Sequence, residues 1–402
     1  MKTPFSRRQL IQGAGAAAGI AAAGKLTGSG LFTSTAQAQV TAEKSAIFVI
    51  FLNGGYNSVF PSADSYRGAG TFGVTGDNIM RSLGNGLVVD APTFGTLPMY
   101  ALTHMATVGV RHGITAHGAA QNANFGDGSR SYALRLAAAM GGDAAIKAVQ
   151  AGNRATPGPR TAESGVSLQT ITDMRATIAA LGGATDPTIP DRTIGAKAIT
   201  ASKSMSERLR TVSPGMLTQL DEGYNAGIAT LQKPVQVFDY AAMATAYGMQ
   251  TTATAVNNFT SQVACAELMI TAGANVVIAN DGGWDTHGDR TAANVRNMMN
   301  TRILPPLRTF INRMMNRPDY NVNVVIMGDF ARSLPGSDHA SSMAATVIGK
   351  YVRVGTTGKM SANVQLPAGT PSCMGLWQYL AALTKGPGAA ALGNNPHTGL
   401  IL

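Results

Sequence analysis

Aspartate and histidine occur in two close pairs in this sequence, and such pairs are typical of metal sites. Asp285 and His287 are separated by one residue, and Asp338 and His339 are adjacent. Carboxylate oxygens and imidazole nitrogens together form ligand sets for zinc, manganese or iron. The alternative is a hydrogen-bonded turn, in which the aspartate accepts bonds from backbone amides and the histidine is an ordinary polar contact. The presence of two such pairs predicts a divalent metal ion as cofactor.

Five apolar runs predict the strands that would position these residues. Runs of this length without alternating polar positions are typical of strands buried on both faces of a parallel sheet. The runs are residues 46–52, 105–111, 275–279, 322–327 and 344–348. Helical patterns lie at residues 131–140, 168–181, 202–212, 216–231, 240–271, 290–316 and 374–384. This alternation predicts an α/β fold, with a mainly parallel sheet flanked by helices.

Further candidate site residues come directly after predicted strands. Thr115 and His117 follow the second strand, and Asp329 follows the fourth. Ligands of open α/β sheets bind beyond the carboxyl ends of the strands. We therefore expect these residues and both Asp/His pairs to converge at one edge of the sheet. Trp284, beside Asp285, would either line the site or pack in the core, and packing is the favoured interpretation.

Residues 142–236 carry no clear strand pattern and are predicted to form a helical insertion. They contain several helical patterns and a loop rich in proline and glycine at 156–159. The insertion would interrupt a single α/β domain that spans residues 39–402. Further along, Pro305 and Pro306 should break or kink the helix predicted at 290–316.

The first 38 residues predict an export signal. Arg7 and Arg8 precede a weakly apolar stretch rich in glycine and alanine, and residues 36–38 read Ala-Gln-Ala. A basic start, an apolar stretch and a small-residue cleavage site are the parts of a signal peptide, and paired arginines indicate the twin-arginine route. We expect the twin-arginine translocase as a partner and a periplasmic or secreted mature protein. The alternative is an uncleaved membrane anchor, which Lys25 disfavours by interrupting the apolar stretch.

Composition excludes several classes of protein. The chain has 402 residues, of which 13% are charged and 45% hydrophobic, whereas disordered chains are more charged and less apolar. Removing a leader with four basic and no acidic residues lowers the net charge from +10 to +6. No dense basic run with interleaved aromatic residues occurs, which argues against nucleic-acid binding. No apolar run of membrane-spanning length, about 18–20 residues, follows the leader, so we expect no transmembrane span in the mature chain.

The chain has two cysteines, Cys265 and Cys373. An exported protein can keep a disulfide, and two cysteines allow one pairing. Cys265 lies in an apolar helical pattern, which favours a buried thiol. The sequence leaves a disulfide and two buried thiols equally open.

Four motifs together resemble a known family. They are Phe-Leu-Asn-Gly-Gly-Tyr-Asn at 51–57, Gly-Gly-Trp-Asp-Thr-His at 282–287, Gly-Asp-Phe-Ala-Arg at 328–332, and Ser-Asp-His at 337–339. They resemble the exported bacterial proteins called the domain-of-unknown-function 1501 family. The likeness covers about residues 45–350. It implies an alkaline phosphatase-like core, because that family is grouped with the alkaline phosphatase and sulfatase superfamily.

The resemblance also implies roles for individual residues. The metal ligands that it implies are Asp285, His287, Asp338 and His339. Asp329, a further candidate metal ligand, stands where the family usually has glutamate, and His117, a candidate catalytic residue, stands where it has a histidine. Ala116 replaces a common serine, so Thr115 would be the substitute nucleophile. Asn57 replaces a common aspartate, and both departures lower the expectation of ordinary phosphatase chemistry.

Two functions from different classes follow from these observations. The first is an exported metal-dependent hydrolase that acts on a small anionic substrate, a phosphate or sulfate ester. A metal ion would polarise the ester and stabilise the charge that develops during hydrolysis. The second is an exported binding or structural protein that keeps the fold without the chemistry.

Overall fold

The apolar run nearest the N-terminus forms the central strand of the sheet. This computed structural model describes residues 43–56, 60–61, 80–181, 238–289, 291–333, 337–360 and 364–402. In it, strand β1 spans Lys44–Leu52, and the last seven residues of the strand are buried. It pairs in parallel with two later strands, Val276–Asp281 and Tyr320–Gly328. A strand with a neighbour on each side and helices over both faces needs apolar side chains at successive positions. This environment explains the unbroken apolar run.

The remaining strands include those predicted and several short ones. They are β2 (Met80–Gly84), β3 (Leu87–Asp90), β4 (Met105–Arg111), β5 (Gly126–Asp127), β6 (Arg130–Ser131), β7 (Ala148–Ala151), β8 (Leu168–Ile171), β9 (Val276–Asp281), β10 (Tyr320–Gly328), β11 (Ser342–Gly349) and β12 (Gly355–Thr356). Within the described ranges, eight of them form one sheet in the order β12-β4-β11-β10-β1-β9-β7-β8. The pairs β2–β3 and β5–β6 are separate hairpins. All five predicted strands are present, and the mainly parallel α/β sheet is confirmed.

One long strand of this sheet runs against the others. β11 is antiparallel to both neighbours, β10 and β4, so β4 runs in the same direction as β1. The carboxyl ends of β1, β4, β9 and β10 therefore meet at one edge, and the amino end of β11 lies there too. The segments that follow the four parallel strands and the segment that precedes β11 are brought together by this arrangement.

Helices cover both faces of the sheet. They are α1 (Met99–Thr103), α2 (His117–Phe125), α3 (Tyr132–Ala139), α4 (Met174–Ala180), α5 (Tyr240–Ala246), α6 (Phe259–Thr271), α7 (Ala293–Met298), α8 (Leu304–Phe310) and α9 (Cys373–Leu383). The rings of Phe48 and Phe310 lie 4.9 Å apart, and those of Phe51 and Phe125 lie 5.1 Å apart. Positions 48 and 51 of a strand point to opposite faces, so α8 and α2 cover opposite sides. None of the helices in the described ranges is long and apolar enough to span a bilayer.

The expectation that residues 142–236 lack strands is wrong. β7 and β8 lie within that range and extend the sheet beyond β9, and residues 168–171, predicted as helix, form β8. Both strands have four residues, and two side chains of β8 are exposed at the edge of the sheet, so neither produces a long apolar run. Residues 182–237, with the helical patterns at 202–212 and 216–231, lie outside the described part of the chain, as do residues 1–42 and Asn57.

The helix with two prolines continues through them. Pro305 and Pro306 occupy the first turn of α8, directly after a π-helical segment at Met299–Ile303. Proline lacks the N–H that an α-helix needs at interior positions, and an altered hydrogen-bond pattern in the preceding turn accommodates that loss. The irregularity expected at the two prolines is therefore a change from π-helix to α-helix.

Candidate metal centre

Four side chains from three segments converge at the edge where the parallel strands end. They are His117, Asp285, His287 and His339, and one ligand atom of each lies within 4.8 Å of the others. His339 Nε2 is 3.0 Å from His287 Nε2, which is 3.1 Å from a carboxylate oxygen of Asp285. Ligands held about 2.0–2.2 Å from one ion lie about 3–3.5 Å apart. The two short distances fit one ion, and binding would draw in the widest pair, because two such bonds span at most about 4.4 Å and the group extends to 4.8 Å.

His117 is held with its Nε2 directed away from its hydrogen-bond partner. Its Nδ1 donates to the carboxylate of Asp329 at 2.5 Å, and Asp329 is fully buried. Because a carboxylate only accepts, the proton lies on Nδ1 and leaves a lone pair on Nε2. That Nε2 is buried, has no hydrogen-bond partner, and lies 3.7 Å from Asp285. A histidine backed by a carboxylate in this way is the usual arrangement of a metal-binding imidazole.

His339 is oriented in the same way by the backbone. Its Nδ1 donates to the carbonyl oxygen of Thr115 at 2.6 Å. Its Nε2 therefore also carries a lone pair and faces His287. Partial burial lowers the pKa of His339 and the nearby Arg332 guanidinium lowers it further, which together outweigh the hydrogen bond to the Thr115 carbonyl oxygen. The neutral imidazole that a metal ion requires is the favoured form.

Asp285 is fixed by a buried arginine. Arg332 is fully buried, and its guanidinium donates to Asp285 and to the carbonyl oxygens of Gly54 and Ser337. Partial burial by itself would raise the pKa of Asp285, but the guanidinium outweighs it and places that pKa below its ordinary value. Asp285 is consequently a carboxylate in neutral solution. Its side chain is 51% exposed, as is that of His287, which leaves the cluster open to solvent.

Glycines at the end of β1 make this arrangement possible. Gly54 has φ +119° and Gly55 has φ +125°, a backbone conformation that other residues rarely adopt. A Cβ on Gly54 would overlap the backbone of Asp285, and one on Gly55 would lie 2.7 Å from Arg332 Nε. The N–H of Gly54 also donates to Asp329 at 3.3 Å. The two glycines therefore bring the ends of β1, β9 and β10 into contact.

One face of α2 supports Asp329. Gln121 donates to its carboxylate at 2.9 Å, and Asn124 donates to its carbonyl oxygen at the same distance. With His117 these residues lie at positions i, i+4 and i+7 of the helix, which share one face. The sequence analysis missed Gln121, Asn124 and the role of Arg332. The spacing on α2 was a signal that could have identified the first two.

Some of the predicted site residues lie in the cluster, and others lie beside it. Asp285, His287 and His339, predicted as ligands, lie in it, whereas Asp329, also predicted as a ligand, lies behind His117 and is not one of the four. His117, predicted as a catalytic residue, is among the four candidate ligands. Asp338 Oδ1 is 3.9 Å from His287 Nδ1, on the ring edge opposite the cluster, and its side chain is 79% exposed. Thr115 contributes its carbonyl oxygen to His339, and its hydroxyl makes no hydrogen bond within the described ranges.

The residues fit a divalent ion. Two imidazoles have lone pairs on Nε2 fixed by donation from Nδ1, a third is within reach, and one carboxylate stays ionised. Nitrogen and oxygen donors of this kind suit zinc, manganese or iron. The buried Nε2 of His117 without a partner is accounted for by such an ion, because an unsatisfied buried polar atom is costly.

Comparison of the chain with known protein families, with curated protein sequences and with solved structures finds no match. The fold class that the structure defines is an α/β protein with a mostly parallel eight-stranded sheet across the described residues. A His/Asp cluster able to hold a metal ion lies at the carboxyl edge of this sheet.

Proposed function

We propose that this protein is an exported metal-dependent hydrolase of small phosphate or sulfate esters, of the alkaline phosphatase-like type. The observation that carries the proposal is the cluster of three imidazoles and one carboxylate, in which the buried Nε2 of His117 has no other partner. The motif resemblance and the paired arginines of the leader support the superfamily and the export.

The chain's own residues would bind the ion and keep it reactive. His117, His287, His339 and Asp285 would hold it. A bound divalent ion would act as a Lewis acid toward the ester and stabilise the developing charge. Asp329 and Arg332 keep two of these ligands in place through partly buried hydrogen bonds. The exposure of Asp285 and His287 leaves room for a substrate, which a closed structural site lacks.

A non-catalytic binding protein is the second candidate, and one observation favours it. The superfamily phosphatases that this chain resembles need a nucleophile. At the two candidate positions, Ala116 has no hydroxyl, and the hydroxyl of Thr115 makes no hydrogen bond in the described part of the chain. Within the described residues, no base is hydrogen-bonded to the Thr115 hydroxyl to activate it. In this alternative the metal would be structural.

Metal analysis and ester hydrolysis together test the proposal. Protein purified from its native export route is assayed for bound metal and for hydrolysis of p-nitrophenyl phosphate and p-nitrophenyl sulfate. We expect about one ion per chain, and His287→Ala should abolish both metal and activity because it removes a ligand. His104→Ala, which changes a histidine outside the cluster, is the control. Metal without hydrolysis would support the binding protein, and absence of metal would overturn the metal centre.

The export proposal has a separate test. Replacing Arg7 and Arg8 by lysine should retain the precursor in the cytoplasm, because the arginine pair is the signal that the translocase reads. Fractionation with immunoblotting measures the distribution, and the exported wild-type protein should begin at or near Gln39. Normal export of the double variant would contradict the twin-arginine assignment.

A further inference from the structure

A second concave site lies beside the carboxyl end of β9, and none of the four candidate metal ligands lines it. It is a cavity of about 540 Å³ between the end of β9, the start of α6 and the π-helical segment at 299–303. This volume is within the range of small-molecule sites, about 300–1,000 Å³. Its walls are rich in amides and in arginine: Asn257, Asn258, Gln262, Asn280, Arg154 and Arg302.

Arg154 is exposed and adds a positive charge to this pocket, whose lining also includes the carboxylate of Asp281. A Cβ on Gly282 would overlap the Arg154 guanidinium, so the arginine lies across the backbone only because position 282 is glycine. Arg302 and Trp284 both donate to the carboxylate of Asp281. Arg154, by contrast, makes no hydrogen bond or ion pair with any described residue.

Two further groups in the pocket have unused hydrogen-bonding capacity. Asn258 and Ser261 form a capping box at the start of α6, but the N–H groups of Phe259 and Thr260 make no bond within the described ranges. The first N–H groups of a helix attract anions. Asn280, 1% exposed, donates through its amide to Ala155, while its Oδ1 has no donor.

These groups recognise complementary parts of one ligand. Guanidinium and helix N–H groups donate, so they pair with the oxygens of an anion. A free amide oxygen accepts, so it pairs with a hydroxyl. We propose that this pocket binds a small molecule carrying both an anionic ester group and hydroxyl groups, the chemistry of a sugar phosphate or a sugar sulfate. The proposal does not depend on the proposed hydrolase function.

Binding by the full-length protein tests this site. Calorimetry would compare glucose 6-phosphate, glucose 6-sulfate, glucose and inorganic phosphate, with a chelator present so that no metal contributes. We expect one of the two sugar esters to bind more tightly than either glucose or inorganic phosphate, because only the esters satisfy both kinds of group. The ester that binds identifies whether phosphate or sulfate is preferred.

Two variants remove the same interaction by different routes. Arg154→Gln removes the charge, and Gly282→Ala displaces the guanidinium while keeping it. Each should weaken binding at least about tenfold, because hydrogen bonds to charged groups are strong. Arg353→Gln, an exposed arginine beside β12 on the far side of the sheet, should leave binding unchanged. Absence of binding at millimolar concentration, or binding insensitive to both pocket variants, would overturn the proposal. His287→Ala should lose hydrolysis and keep this binding, which separates the two sites.

Discussion

The hydrogen bond between His117 and Asp329 is the strongest single feature of the candidate metal centre at the residue scale. A fully buried carboxylate would be costly without partners, and Asp329 accepts from His117, Gln121 and Gly54. These bonds explain how a charged residue is tolerated at the end of β10. They also fix the nitrogen of His117 that a metal ion would use.

Replacing Asp329 by asparagine should weaken metal binding without removing a ligand. The amide keeps the shape but loses the charge that holds the imidazole proton, and loss of such a partner typically costs about 10–100-fold in metal affinity. Competition with a chromogenic chelator measures the change. Asp338→Asn, which alters the exposed carboxylate beside His287, should have little effect. An equal loss in both variants would show that Asp338 ligates the ion.

Gly55 is expected to be intolerant of a side chain. At φ +125° and with Arg332 Nε 2.7 Å from the added carbon, Gly55→Ala should lower the free energy of unfolding by at least about 2 kcal/mol. Displacement of Arg332 should also weaken metal binding through Asp285. Urea denaturation measures the first effect. Gly165→Ala, at φ +79° with open space around the added carbon, is the matched control and should lose less.

At the scale of elements, the two cysteines lie on opposite faces of the sheet. Cys265 lies in α6, which packs with α8 on one face. Cys373 begins α9 on the other face, where its thiol donates to Asn124 of α2. Since a disulfide requires Cα atoms within about 7 Å, a sheet between the two residues excludes the bridge. Both cysteines are free and buried in the structure.

Alkylation should distinguish buried thiols from a disulfide. Burial raises the pKa of each thiol to about 12, and the thiolate is the reactive form. We expect no labelling of the native protein at neutral pH and two labelled thiols in denaturant without reductant. Mass spectrometry counts the labels. A requirement for reductant before labelling in denaturant would contradict the free thiols.

At the scale of the whole molecule, one buried histidine should make stability depend on pH. His397 is 2% exposed, its Nε2 has no partner, and burial lowers its pKa to about 4 from an ordinary 6.5. The unfolded chain therefore binds a proton between pH 6.5 and 4 that the folded chain does not. The contribution of the neutral His397 to the free energy of unfolding is fully present above pH 6.5 and is lost as the pH falls to about 4. Its size is up to about 3 kcal/mol.

Replacement of His397 by glutamine isolates this contribution. Urea denaturation of the wild type and of His397→Gln between pH 7 and pH 4 gives the free energy of unfolding of each. The wild type should lose up to about 3 kcal/mol more than the variant across that interval. All other ionisable groups are the same in the two proteins, so their effects cancel in the difference. Parallel curves for the two proteins would show that His397 does not contribute.

The local sequence pattern was sufficient to predict the main strands and the general position of the site. Each of the five long strands is buried on both faces, and that burial requires a continuous apolar run that can be read without knowledge of the partners. Chain direction then places residues after parallel strands at one edge. Asp285, His287 and His339 were identified on this basis, and the structure places them together.

Tertiary structure decided which residues meet and which do not. The antiparallel direction of β11 is set by its pairing with β10 and β4 and puts His339 at the site from the amino end of its strand. The same packing places His117 among the ligands and turns Asp338 to solvent. Short edge strands such as β7 and β8 also escape sequence analysis, because they are defined by pairing rather than by an apolar run. The local sequence determines which segments become strands, whereas ligand geometry depends on strand order and direction, which arise from contacts between residues far apart in the chain.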